Sequence, residues 1–306
     1  MSDVALESVR AVAKKDFQDS VRSWLFWGLS LFFFTMLVTV TGVLAYFGED
    51  IAAEGVTTEV LVAFVSEITR LIIPLIALVL GWKAIAGERE SGSITILLSL
   101  PHSRRDVLLG KLLGRSAVLS VSLVVGFVAA AAIVALFLGG FDVVDYVGLL
   151  AMSIFYGVAY TSIAVSLSAL TRSTTIAGAA MFGVFVLFYV VWNAMTAVFS
   201  LLSAREILFF EFVEYTMTIE GQEFQGQRLQ GGVYFLEMFD PGTAYANVLT
   251  LVTSAAEIEG ADLVQAEMFG GSIPFYLQDW FAFVVLVFWI VVPMAIALYQ
   301  FDRVDL

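Results

Sequence analysis

The ionisable residues gather where chemistry between proteins, rather than bond making, is the natural use for them. Glu88, Arg89 and Glu90 follow Gly87 in alternating charge, and Arg104, Arg105, Asp106 and Lys111 follow Pro101. Long apolar runs flank the segment on both sides, so it reads as a cytoplasmic loop that another body grips. Bond making has little material here. The chain has no cysteine, and one histidine, His102, gives no basis for a histidine metal centre. His102 itself reads as a solvated loop residue. No carboxylate pair or nucleophile–base set falls within the apolar runs. Gly110-Lys111 is followed by Leu112 and lacks the earlier glycine of a phosphate-cradling loop. ATP hydrolysis is therefore not expected of this chain.

The elements that position these charges are set by hydropathy. Of 306 residues, 60% are hydrophobic and only 14% charged, with mean hydropathy +0.93. A soluble domain carries about a quarter charged residues, so the expectation is an all-α polytopic membrane protein. Runs near 20 residues cross roughly 30 Å of hydrocarbon as helix. Six such runs are present: 24–47, 61–82, 116–138, 144–170, 174–202 and 280–299. Twelve of the fifteen bases fall before the first run, between the second and third, between the fourth and fifth, or after the sixth. That asymmetry places both termini in the cytoplasm. More than 20 residues precede the first run, which argues for a retained span rather than a signal peptide.

The whole of 1–306 reads as one membrane domain with three attachments. In residues 1–23, Leu6, Val9, Ala13, Phe17 and Val21 recur at spacings of three and four, as in an amphipathic helix lying along the inner membrane surface. The competing reading is a helix packed on the protein itself. Residues 83–115 form the charged loop. Gly92 allows a turn, Pro101 stops a short apolar stretch, and Ser103 caps a helix beginning at Arg104. Residues 203–278 form a small extracytoplasmic cap between spans five and six. Its glycines at 221, 226, 231 and 232 interrupt a strand-like alternation, and Asp240-Pro241 opens a helix.

Within the spans, Glu67 and Arg70 lie three apart on one face, and Asn193 stands in span five. A charge at the bilayer centre costs about 2.5–3.5 kcal/mol, so Glu67 and Arg70 are either a polar gate on a substrate path or an ion pair at the membrane edge. Asn193 suits an interhelical hydrogen bond. Pro74 and Pro293 predict kinks in spans two and six. Gly110-x-x-x-Gly114 is a small-residue pattern of a kind frequent in membrane sequences.

The order Glu88, Glu90, Gly92, Ser93, then Leu97, Leu98 and Pro101, then Ser103, Arg104, Gly110, Lys111 and Gly114 resembles the permease subunits of ABC type-two transporters. The six-span layout, the N-terminal helix and the large loop before span six are similar too. Thr95 stands where an acid is common in that family, and His102 where an aliphatic residue usually follows the proline. The resemblance implies that Gly87–Ser93, Leu97, Leu98, Pro101 and Ser103–Arg105 include a coupling helix docking onto an ATPase. It implies two ATPase copies that carry the ATP and Mg, a second permease copy or a relative, and a pathway lined by spans one, two and five. The function implied is ATP-driven export across the plasma membrane, with membrane lipid as the surroundings and no nucleic-acid partner. A secondary transporter and a non-transporting membrane assembly factor are the alternatives. On this reading the loop charges are exposed, and folding depends on them little.

Net charge is −13, with four lysines, and residues 203–279 hold twelve acids against two bases. Acid excess with sparse lysine fits a protein of high-salt surroundings. An ordinary acidic membrane protein is the alternative. Repulsion among these acids reaches about 30 Å at 0.01 M salt and about 3 Å at 1 M. Thermal unfolding of the purified protein should therefore move to higher temperature from low to molar salt, and a flat response removes the high-salt reading.

Overall fold

The structure, a computed structural model, describes residues 5–53, 57–94, 103–137, 142–205, 207, 211–219, 222–253, 261–301 and 303. Six helical stretches are long and apolar enough to cross a membrane. Span one is α2 (Trp24–Ala53), preceded by α1 (Leu6–Arg22). Span two is α3 (Thr57–Gly81), followed by the short α4 (Ala86–Glu90). Span three is α5 (Arg104–Phe137) and span four α6 (Val143–Leu170). Span five is α7 (Thr174–Val186), a π-helical turn (Leu187–Val191) and α8 (Trp192–Ala204). Then come β1 (Val213–Ile219), β2 (Gln222–Arg228), α9 (Gly231–Met238), α10 (Pro241–Leu249) and α11 (Ala261–Met268). Span six is α12 (Asp279–Phe301).

Span four is the central post, with a buried face running from Asp145 to Ala169. Its hydroxyls solve a problem that the bilayer imposes, because no water reaches the backbone there. Pro74 has no N–H, so the carbonyl of Arg70 one turn earlier loses its donor. The Tyr156 hydroxyl of span four donates to that oxygen at 3.1 Å. Near Pro293 in span six, Ser162 donates to the Ile290 carbonyl at 2.6 Å. Other hydroxyls, such as Ser153 and Thr161, bond back to their own helix at Leu149 and Gly157.

Helix α1 packs along the N-terminal part of span three. Its buried stripe is Ser8, Val9, Val12, Asp16 and Ser20, with Phe17 and Val21 half-buried against the main core. Leu6, counted in the apolar stripe from sequence, is 83% exposed. The stripe is thus rotated from the predicted one, because α1 seats on protein along this face. The glycine pattern explains the close seat. A Cβ at Gly110 would lie 2.6 Å from the Cβ of Val12, and one at Gly114 would lie 2.9 Å from the Ala13 carbonyl oxygen. Gly110-x-x-x-Gly114 is therefore the seam that lets the two backbones approach.

The outer segment differs from the expected cap in two ways. Val213–Ile219 and Gln222–Arg228 do form an antiparallel hairpin, with Val213 opposite Arg228. The glycines flank and fit the strands: Gly226 sits beneath the Tyr215 ring. Also, α10 does not lie above the spans but is sunk among them. Its Ala244, Tyr245, Val248 and Leu249 belong to the main buried core, and Tyr245 stacks on Tyr156 with centroids 4.6 Å apart. Asp240 caps α10 by accepting from Thr243 N, with Pro241 in the first turn.

The Gly110→Leu variant should lose about 1–3 kcal/mol of stability through overpacking against α1. Gly183→Ala, where a Cβ meets nothing within 4 Å, should leave stability unchanged or raise it. Thermal unfolding of the two variants in detergent compares them directly.

Candidate functional site

The loop after span two forms a hub at one end of the helix bundle. Span two ends at Gly81, and the chain turns through Trp82–Ile85 into α4. Ile85, the residue capping α4, supplies no side-chain bond of its own. A hydroxyl from another span does this instead. Ser168 of span four, fully buried, accepts from Ile85 N and Ala86 N at 3.0 Å each and donates to Trp82 O at 2.9 Å. That uses the hydroxyl's one proton and both lone pairs. Gly92 ends the element with φ +74°, the left-handed region that glycine enters freely.

Each charge of Glu88–Glu90 then reaches a different helix. Glu88 accepts from Lys111 Nζ of span three at 2.8 Å. Lys111 also meets Asp16 of α1 at 3.2 Å, and Arg115 Nε lies 2.9 Å from the other Asp16 oxygen. Arg89 donates to the Thr171 carbonyl at the end of span four at 2.9 Å. Glu90 accepts from Thr174 N at 2.9 Å, at the start of span five. Trp82 Nε1 donates to the carbonyl of the same Thr174. Span six is held by two arginines: Arg104 donates to the Phe301 carbonyl at 2.7 Å, and the Arg89 and Arg104 guanidiniums lie 5.0 and 5.9 Å from the Phe301 ring.

Span three's extension begins with a reciprocal cap. Ser103 Oγ accepts from Asp106 N at 3.1 Å, and Asp106 accepts from Ser103 N at 2.9 Å. Asp106 also accepts from Ala5 N at 3.1 Å, fixing the start of α1.

This corrects one expectation. Glu88, Arg89 and Arg104 are not exposed loop charges on which folding depends little. They are partly buried and bonded to other spans. Arg105 is half-buried, whereas Glu90, Ser91, Gly92 and Ser93 are exposed. Leu97, Leu98 and Pro101 lie outside the described residues, as do Thr95 and His102. The partners Asp16, Ser168, Thr174 and Phe301 were not singled out from sequence. Asp16 left one trace, an acid in step with Val9 and Val12 on α1.

A second polar locus lies near the middle of spans two and four, at Arg70 and Tyr156. Glu67 reaches Arg70 at 4.0 Å but its side chain is 71% exposed, so this pair contributes little. The closer partner of Arg70 is Asp240 at the start of α10, 3.5 Å away and nearly buried, with Thr243 also at 3.5 Å. Burial raises the Asp240 carboxyl above its ordinary value, while bonds from Thr243 and the charge of Arg70 pull it back. Arg70, Asp240, Tyr156, Tyr160 and Asn193 surround a cavity of about 10 Å³, room for about one water. Among the described residues Asn193 makes no interhelical bond. Its amide donates to the carbonyls of Phe188 and Tyr189 at 3.3 and 2.7 Å, inside the π-helical turn of its own span. A π turn leaves carbonyls without their usual donors, and Asn193 supplies one. The structure thus brings Arg70 and Asn193 to one cavity, and Glu67 is not among its lining residues.

Neither locus holds a nucleophile–base pair, and no cluster of metal-binding side chains occurs among the described residues. The arrangement at the hub can pass displacement from one helix end to the others.

Comparison with known proteins fits that mechanical character. Residues 10–306 match the family described as ABC-2 family transporter protein. A protein of Pseudomonas aeruginosa described as "Probable ABC transporter permease protein NosY" is 35% identical over 125 residues, 40% of this chain and 44% of the relative. One of the same description from Stutzerimonas stutzeri is 30% identical over 139 residues, 45% of this chain and 49% of the relative. The chain thus spans less than half the length of these curated relatives. With the family matched over nearly its full length, the chain belongs to the ABC-2 family of transporter proteins.

Proposed function

We propose that this chain is the membrane-spanning permease subunit of an ATP-driven ABC exporter. It is a multi-pass protein of the plasma membrane with both termini in the cytoplasm. Two ABC ATPase subunits, carrying the ATP and Mg, grip the cytoplasmic face around residues 87–105. The observation that carries this reading is the hub: one short element, α4, bonds to span three at Lys111 and to the ends of spans four and five and, through Arg89, packs on the end of span six. A partner that pushes on the adjoining residues 93–105 displaces all of these together. The names of the two relatives, both ABC permeases, support the same class.

A second copy, or a related permease, completes the pathway. Span five is poorly covered within the chain, with Ile176, Phe182, Val190, Val198 and Leu201 exposed. An apolar groove of about 540 Å³ runs between spans two and five, lined by Leu75, Leu78, Trp82, Gly178 and Phe182. These surfaces fit a two-fold interface, where one patch meets its counterpart. Arg70 and Asn193 lie on the same two spans, and Asp240 on the helix packed against them. A secondary transporter would need free ionisable groups for ion coupling. The buried pair found here, Arg70 and Asp240, is occupied by its own contacts.

Replacing residues 95–102 with glycine and serine should abolish co-purification of the partner ATPase in mild detergent while leaving thermal unfolding of the membrane part within a few degrees of native. Undiminished co-purification removes the docking assignment. In membranes that contain the ATPase, Ala194→Cys and Ala197→Cys on span five should give a dimer cross-link confined to one helical face. No cross-link at any position along the span leaves a monomer. Cysteines placed at Ser2 and Ser272 should label from opposite sides of the membrane.

A further inference from the structure

Helix α1 leads into span one through the single extended residue Ser23, φ −73° and ψ 131°. Any movement of α1 is therefore delivered to span one over a very short link. What holds α1 to the hub is a charge cluster from which most water has been removed. The side chains of Lys111 and Asp16 are each 5% exposed, and that of Glu88 is 25%. The Lys111 ammonium stands between Asp16 of α1 at 3.2 Å and Glu88 of α4 at 2.8 Å. Arg115 sits 2.9 Å from the remaining Asp16 oxygen. An ammonium is a compact charge with three donors, suited to serving two carboxylates from different elements. Pulling α4 from α1 leaves a charge stranded in a dehydrated site, which is strongly unfavourable. The elements therefore move together or the cluster must be rehydrated.

We propose that Lys111 is the positioning residue that makes α1 follow α4, so that a displacement at the turn after span two reaches span one as well. This rests on the ATPase-coupling reading above. It adds to that reading a second route for the stroke. Span two is driven by direct continuity with the turn. Span one is driven through Glu88, Lys111, Asp16 and α1. The glycine seam and the Asp106 bond to Ala5 N hold α1 along span three, and the ammonium adds the tie to α4.

The absence of native cysteine makes spin-label distances a clean test. Labels go on three exposed positions, Lys14 of α1, Ser91 beyond α4 and Leu263 of α11, which packs on the hairpin and not on the hub. They are used in pairs, in the lipid-reconstituted complex with its ATPase. In the otherwise native protein, ATP should change the Ser91–Leu263 and Lys14–Leu263 distances while Lys14–Ser91 stays constant. With Lys111→Met, Ser91–Leu263 should still respond, the Lys14–Leu263 response should fall by at least half, and Lys14–Ser91 should change with ATP. Glu88→Gln cuts only the α4 arm at a less buried group, and should show the same loss even if Lys111→Met folds poorly. Lys111→Arg should restore the native pattern, a rescue that a loss of packing alone does not predict. A Lys14–Ser91 distance constant through the ATP cycle in both Lys111→Met and Glu88→Gln overturns the proposal. No ATP response of Ser91–Leu263 in the native protein overturns the coupling reading itself, and the proposal with it.

Discussion

A backbone leaving a membrane span must have its polar groups paired before it reaches bulk water, and the turn Trp82–Glu90 meets that demand with groups from other spans. Ser168 closes three backbone bonds at once. The carbonyl ends of spans four and six take protons from Arg89 and Arg104, and the amide start of span five is met by Glu90. Charges at helix ends also suit the helix dipole: the acid meets an N-terminus and the bases meet C-termini. The same bonds that satisfy the backbone therefore join the helices. Structural need and mechanical coupling are met by one set of contacts.

The interior of the spans obeys the same constraint by different means. Span two loses a donor at Pro74, and the Tyr156 hydroxyl replaces it. Span five leaves carbonyls unmatched in its π turn, and Asn193 answers them. Helix α10 carries a carboxylate into this region, where Arg70 stands beside it. Pro74, Asn193 and Asp240 all line the small cavity, so that locus is defined by departures from regular helix rather than by a cluster of like residues.

Local signals in the sequence were legible and long-range partners were not. Six spans follow from apolar length, and the observed helices agree within a few residues except that span one runs on to Ala53 and span three starts early, at Arg104. Ser103, Gly92 and Asp240-Pro241 act where cap and turn chemistry place them, since those preferences depend on near neighbours. The contacts of Glu88 with Lys111 and of Arg89 with Thr171 join residues 23 and 82 positions apart. No periodicity encodes such pairings. Exposure was misjudged for the same reason: an alternating charge run looks solvated until its partners are known. The phase of α1 was missed because Asp16 and Ser20 face inward, so polarity does not mark the outer side. Gly110-x-x-x-Gly114 was too common a pattern to interpret without knowing that α1 lies across it.

The outer hairpin stands in contrast to the hub. Strand β1 pairs with β2 and packs on α11, with Arg228 donating to Met268 O and lying over the Phe269 ring. These contacts stay within the outer segment. Local opening of a protein proceeds in cooperative units whose free energies differ widely. By that measure the helix ends at the hub form one unit that opens together, whereas the hairpin opens on its own. The molecule is stiff at its hub end and yielding at its hairpin, so slow amide exchange and protease resistance should divide along the helix bundle rather than along the sequence.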